Sequence, residues 1–225
     1  MSNQEEHFFD SEGDQWFLRN QNVLHADSEK WDAPIAFLER YGLTPKTVLE
    51  IGCSNGWRLG RIHKQFGSRC VGVEPSAEAI AEGQTHYSDV TFHRGLASSV
   101  PLQETFDVVI VHFVLHWVGR DLLFQALTEI DRLVAPGGYL IIGDFLPDTV
   151  VRTPYHHLPN ADMFTYKIDY AAMFTATSIY KTIAHDTFVY NGRMPKADVP
   201  GNDRGACTLL RKSSIDFYPL ATPVR

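Results

Sequence analysis

The chain has 225 residues, 44% of them hydrophobic and 21% charged, enough for one globular domain around one core and too few for two. Its net charge of −7 disfavours nucleic acid and anionic membranes as partners, because attraction to phosphates scales with Lys and Arg gathered on one face. The longest apolar runs, 108–111 and 139–142, fall far short of the roughly 20 residues that span a bilayer.

Residues 1–32 hold eight acids against Arg19 and Lys30, so nearly all of the net charge sits in the head and the remaining body is close to neutral. The head also carries Phe8, Phe9, Trp16, Phe17 and Trp31, too aromatic a set for a disordered acidic tail. It is expected to fold back as short helices, either covering core or forming a lid over a site. Its first residues, Met-Ser-Asn-Gln-Glu-Glu, lack the basic region and apolar stretch of a secretory signal. Cys53, Cys70 and Cys207 form an odd, sparse set without CxxC spacing, which suits a reducing, cytoplasmic setting and neither a disulfide framework nor a metal site.

From residue 47 short apolar runs alternate with helical stretches. Strands are expected at 47–51, 70–74, 89–93, 106–112 and 138–145, and helices at 56–66, 76–86 and 121–134. Ser76 reads as a helix cap, and Pro136-Gly137-Gly138 as a helix stop. Uniformly apolar strands alternating with helices mean parallel strands buried on both faces, an α/β doubly wound sheet. The last third predicts a further helix over 162–172, then strands at 187–190 and 205–210 forming a closing antiparallel hairpin on the sheet edge. The chain thus divides into a helical lid (1–45), a ligand-binding core (46–145), a cap (146–185) and a closing hairpin with tail (186–225), all in one domain.

The segment Val48-Leu49-Glu50-Ile51-Gly52-Cys53-Ser54-Asn55-Gly56 is an apolar strand ending in a small-residue loop that opens a helix. In doubly wound sheets ligands bind at such loops, beyond the carboxyl ends of the strands. Glu74 ends the next strand, where an acid can accept hydrogen bonds from both hydroxyls of a ribose. A dinucleotide dehydrogenase would need G-x-G-x-x-G, whereas Gly52 and Gly56 stand four apart with the bulky Trp57 after them. Gly52-Cys53-Ser54-Asn55-Gly56 matches a hydrolase elbow, but only about one strand precedes it and no HGGG-type segment lies upstream. Glu50, inside an otherwise apolar strand, requires a partner or a function of its own.

The pattern E-x-G-x-S-x-G followed by Glu74 resembles the first motif and ribose acid of class I S-adenosylmethionine-dependent methyltransferases. Phe106-Asp107-Val108-Val109-Ile110-Val111 resembles that family's fourth-strand motif, and Leu133-Val134-Ala135-Pro136-Gly137-Gly138-Tyr139-Leu140 its turn before strand five. The likeness is greatest to the small-molecule branch called type 11. It implies a Rossmann-like methyltransferase fold: a mostly parallel seven-stranded sheet with an antiparallel last strand, an N-terminal helical lid and a cap after strand five. It further implies S-adenosyl-L-methionine as cofactor, held by Glu50, Gly52, Cys53, Ser54, Gly56, Glu74, Pro75, Ser76, Leu96, Ala97, His112 and Phe113, with no metal. Glu50 would act through the loop on the methionine end, and Pro75 and Ser76 would border the adenine. Leu96 stands where many members carry an acid near the adenine amino group, so the resemblance leaves adenine to backbone groups or Ser98.

Methyl transfer to a hydroxyl or ammonium needs a base with a pKa near neutrality, and histidine fits best. His112 and His116 flank the end of strand four and are the catalytic candidates, packing under the next helix being the alternative for His116. Tyr155, His156, Tyr166 and Tyr170 make the cap aromatic, with Tyr166, Tyr170 and Phe174 expected on one helical face, either as core or as a wall for a ring-shaped acceptor. Trp16, Arg19 and Asn20 are candidate acceptor contacts from the lid. The expected acceptor is a small polar metabolite, such as a saccharide or nucleotide sugar, methylated on oxygen or nitrogen. A cofactor-binding protein without catalysis and a nucleic-acid methyltransferase are the alternatives. Oligomeric state is open.

Overall fold

The computed structural model describes residues 3–27, 30–158, 161–190 and 195–214. Five parallel strands form the first part of the sheet: β1 (Thr47–Ile51), β2 (Arg69–Glu74), β3 (Val90–Arg94), β4 (Phe106–His112) and β5 (Val134–Phe145). β8 (Tyr180–Val189) and β9 (Arg204–Lys212) complete it in the order β3-β2-β1-β4-β5-β9-β8, with β9 antiparallel to both neighbours. The order reverses between β1 and β4, which opens a crevice at their carboxyl ends. The expected doubly wound, seven-stranded fold is the one found.

Alternate residues of the central strands supply two cores. Leu49, Ile51, Val71, Val73, Val109 and Val111 face one way, where α6 (Leu123–Leu133) buries Leu123, Ala126, Ile130 and Leu133. Val48, Cys70, Val108 and Ile110 face the other, toward α3 (Ala33–Arg40) and α4 (Trp57–Phe66). Period-2 alternation with both faces buried explains why these strands read as unbroken apolar runs. Local chemistry sets the helix starts: Asp32 accepts the Ile35 N–H at 3.1 Å before α3, and Ser76 accepts the Ala79 N–H at 3.0 Å before α5 (Ala77–His86).

Three expectations are corrected. α6 ends at Leu133, because Val134 pairs with Phe106; β5 therefore begins ahead of Pro136-Gly137-Gly138, which sits in an irregularity of the β4–β5 register. The stretch 162–172 is not one helix. It holds β7 (Phe164–Lys167), paired antiparallel with β6 (Val151–Pro154), followed by the short α7 (Tyr170–Thr175) capped by Asp169. Tyr166 therefore lies on a strand and shares no helical face with Tyr170 and Phe174. β8 begins at Tyr180, inside the stretch assigned to the cap, and its run stops at Val189.

The head is helical as expected. α1 (Asn3–His7) runs through a wider π-helical turn (Phe8–Glu12) into α2 (Gly13–Asp27). Gln4 fastens α1 across the molecule: its amide donates to the carbonyls of Trp117 (2.5 Å) and Phe164 (2.8 Å) and accepts the Phe164 N–H at 3.1 Å. At the start of α2, Asp14 accepts hydrogen bonds from the Ser76 hydroxyl (2.7 Å) and the Glu78 N–H (3.1 Å).

Candidate active site

A cleft opens at the carboxyl ends of β1, β2 and β4 and is roofed by α1 and the start of α2. Its floor begins with the turn after β1. Gly52 has φ +73°, and a Cβ there would stand 2.3 Å from Val114 Cγ2, so both conformation and space require glycine. Gly56 adopts φ +75° at the start of α4, where a Cβ would meet the Phe92 ring at 2.5 Å. Ser54 between them also lies in the left-handed region, at φ +51°.

Glu74 closes the turn. One carboxylate oxygen accepts the Ser54 N–H at 2.8 Å and the other the Ser76 N–H at 3.0 Å. Burial pushes its pKa up to about 7, with the two N–H donors acting in opposition. Each oxygen is fixed by one donor, and the side chain lines the cleft, so further lone pairs can accept from a vicinal diol. Ser54 Oγ and His112 Nε2 are buried and lack a protein hydrogen-bond partner among the described residues, and both residues line the cleft. A wall with anchored acceptors, a glycine turn and unpartnered polar atoms fits a nucleoside carrying a polar tail, as S-adenosylmethionine does.

Of the residues expected to hold a cofactor, Gly52, Ser54, Glu74, Pro75, Leu96, Ala97, His112 and Phe113 line the cleft. Glu50, Cys53, Gly56 and Ser76 do not line it. Cys53 Sγ packs against Gly72, and burial drives its thiol pKa well up, which leaves it an inert core thiol. Glu50 has a structural partner the sequence reading missed. Arg58, the second residue of α4, donates to Glu50 and, through Nε, to both Asp32 oxygens at 3.0 Å. Burial raises the Glu50 pKa against the pull of Arg58; Asp32, although also raised by burial, is held below the usual carboxylate range by the same guanidinium. An acid inside an apolar strand with an Arg eight residues on was the available signal.

The same guanidinium separates the two histidines. Arg58 Nη2 lies 3.2 Å from His112 Nδ1, and since a guanidinium only donates, Nδ1 accepts and the proton of neutral His112 resides on Nε2. Burial and then the Arg58 charge push the His112 pKa down to about 3. His112 is thereby a neutral hydrogen-bond donor, and the expectation that it acts as a base is corrected. His116 differs: its Nδ1 lies 2.9 Å from Asp144 Oδ1, and Asp144 is fixed by the N–H groups of His116 (3.1 Å) and Phe145 (2.8 Å). The Nδ1–Oδ1 approach lacks hydrogen-bond geometry, so Asp144 is held to His116 through the backbone N–H and its charge lies beside the ring. The ring lies outside the cleft lining, 4.9 Å from that of Trp117, which does line it.

The expected acceptor residues divide. Trp16 lines the cleft beside Phe8 and Trp117. Arg19 is taken up by Glu12 and by the Tyr155 hydroxyl (2.8 Å), which itself donates to Glu12 at 2.5 Å; this trio joins α2 to the cap just outside the cleft. Asn20 donates to the Trp16 carbonyl of its own helix at 2.8 Å. His156 lies against His157 with the rings tilted, Tyr166 lies under the Arg120 guanidinium, and Tyr170 is buried with its hydroxyl on the Tyr166 carbonyl at 2.5 Å; none of the three lines the cleft. Ser98, considered for adenine, donates its hydroxyl to Glu5. Glu5, Phe8 and Trp117 were missed as cleft residues because they reach it only through long-range docking.

Residues 49–142 match the family model described as a methyltransferase domain. An uncharacterised methyltransferase of Alkaliphilus oremlandii is 24% identical over 143 residues, 58% of this chain and 64% of its own length. Norajmaline N-methyltransferase of Rauvolfia serpentina is 32% identical over 106 residues, 44% of this chain and 35% of that protein. The chain thus spans only part of the length of these relatives. Among solved structures, the 1,6-didemethyltoxoflavin-N1-methyltransferase of Burkholderia thailandensis, with S-adenosylhomocysteine bound, superimposes with a TM-score of 0.72 at 16% identity, covering 95% of this chain and 92% of that one. Among the described residues, no helix is long and apolar enough to cross a membrane.

Proposed function

We propose, from the premise that this chain carries a class I S-adenosylmethionine-dependent methyltransferase domain, that it transfers a methyl group to an oxygen or nitrogen of a small metabolite. The observation that carries this reading is Glu74, anchored through both oxygens at the end of β2 beside the Gly52 turn and lining the cleft. Gly52 and Ser54 would clear the way for the nucleoside, Glu74 would hold the ribose hydroxyls, Pro75, Leu96 and Ala97 would flank the base, and the Nε2–H of His112 would donate toward the polar tail. The cofactor supplies a methyl group already activated on a sulfonium, so the protein has to align the acceptor and exclude water.

Phe8, Trp16 and Trp117 support a ring-bearing acceptor, whose flat or apolar face can stack on them. A saccharide or nucleotide sugar is the class to test first. A hydroxyl acceptor loses its proton as the new C–O bond forms, and His116, with the Asp144 carboxylate beside its ring, is the base this reading assigns. One ring removed from the cleft, it would act through a water. The test is production of S-adenosylhomocysteine with a panel of acceptors, for the wild type and for His116→Asn. Turnover on at least one acceptor, lost in the variant with cofactor affinity retained, is the expected result. Cofactor binding without turnover on any acceptor would make this a binding protein of the same fold, and unchanged turnover in the variant between about pH 6 and 9 would remove His116.

A further inference from the structure

β3 lies on the side of β2 away from β1, so the loop after β3 lies beyond Glu74 as seen from the Gly52 turn. At that end the cleft wall is Pro75, Gly95, Leu96 and Ala97, all without polar side chains. Glu5 of α1 also lines the cleft, although it is only 6% exposed. Ser98 Oγ donates to its Oε2 and is its only hydrogen-bond donor among the described residues. Among the described residues no cation pairs with the carboxylate; burial, against the Ser98 hydrogen bond and aided by the charge of Asp121, raises its pKa. The position is a built one, because the neighbouring Gln4 secures α1 with three hydrogen bonds to Trp117 and Phe164.

A carboxylate that lines a cleft, with only Oε2 engaged among the described residues, can accept N–H or O–H donors from a ligand. If Glu74 holds the hydroxyls of a ribose, the base on the adjoining ring carbon lies next to it, with apolar faces available for its plane and Glu5 for its edge. We propose that Glu5 recognises that base, accepting a hydrogen bond from its exocyclic amine, so that the amino-terminal helix selects a 6-aminopurine over a 6-oxopurine. A 6-oxo group would set an acceptor against an acceptor. The lid then takes part in cofactor recognition as well as covering the cleft, and its seating is linked to the identity of the base. This inference rests on the cofactor reading above.

Calorimetric titration with S-adenosylhomocysteine and S-inosylhomocysteine, on the full chain, tests it. The wild type is expected to bind the adenosyl compound about 10- to 100-fold more tightly, the scale of one hydrogen bond to a charged group. In Glu5→Gln, whose amide can donate to a 6-oxo group, that ratio should collapse to within about threefold or invert. Should that variant not fold, Ser98→Ala, which leaves the carboxylate in place without its anchor, should narrow the ratio in the same direction by a smaller factor. An unchanged ratio in the variants, or equal affinities in the wild type, would overturn the role of Glu5 and leave the cofactor reading standing. A wild type that binds neither compound would overturn both.

Discussion

On the floor of the cleft, Ser54 and Glu74 meet across 20 residues of chain, whereas on its cover Gln4 reaches Trp117 across 113 residues and Phe164 across 160. The floor is held by backbone donors on a rigid parallel sheet and by an ion cluster buried behind it. The cover is held by side-chain hydrogen bonds, the Glu12–Arg19–Tyr155 trio and ring contacts such as the tilted pair Phe8–Trp117, with centroids 4.8 Å apart. Damage to the floor should therefore cost the fold or the ligand outright, while damage to the cover should loosen one layer and leave the rest intact.

The largest effect is expected at Arg58. Replacing it with Met strands the Glu50 and Asp32 carboxylates in a buried site, and removing one partner of such a cluster costs about 3–5 kcal/mol. Denaturant unfolding of Arg58→Met should show a loss of that order; a loss under about 1 kcal/mol would mean the cluster is not dry. On the cover, Gln4→Ala removes three hydrogen bonds worth roughly 1 kcal/mol each. Hydrogen exchange should then speed up across α1 with little change in β1, β2 or β4. Equal acceleration in both layers would erase the distinction between them.

Acidity sharpens the same contrast. Burial raises Glu74 from an ordinary value near 4.5 to about 7, so over that interval the folded protein holds a proton that the unfolded chain has released. The stabilisation this gives is complete below 4.5 and is lost as pH rises through 7. Glu74→Gln should flatten the fall in unfolding free energy across that window, measured without ligand; an identical slope would place Glu74 in a wetter site. The smallest effect is expected at Ser54, where Gly would relieve a left-handed side chain yet free the unfolded chain, a net change within about 1 kcal/mol in either direction. A larger loss would show that the Ser54 hydroxyl, unpartnered here, has a structural role.

The same division governs how much the sequence discloses. Strands β1, β2 and β4 are legible because both of their faces are buried, and the Ser76 cap because its hydroxyl acts within three residues. Gly52, Ser54 and Glu74 follow from a spacing that the strand–turn–helix geometry imposes. The stretch 162–172 misleads because Tyr166, Tyr170 and Phe174 fall at helical intervals by coincidence. Pairing of Phe164–Lys167 with Val151–Pro154 outweighs that periodicity, and the aromatic and β-branched content of Phe-Thr-Tyr-Lys was the weaker clue. The reach of Glu5 into the cleft, and the failure of Tyr166 and Tyr170 to reach it, depend on contacts between distant segments that no local pattern encodes. The tautomer of His112 depends likewise on Arg58 of another element.

The claim on which the rest stands is that the cleft at Glu74 binds the nucleoside of S-adenosylmethionine. Calorimetric titration of S-adenosylhomocysteine into the wild type and Glu74→Ala measures it most directly. One site per chain is expected in the wild type, with binding about 1–3 kcal/mol weaker in the variant, the scale of hydrogen bonds to a charged acceptor. Equal affinity in the two proteins, or no binding by the wild type, would contradict the account.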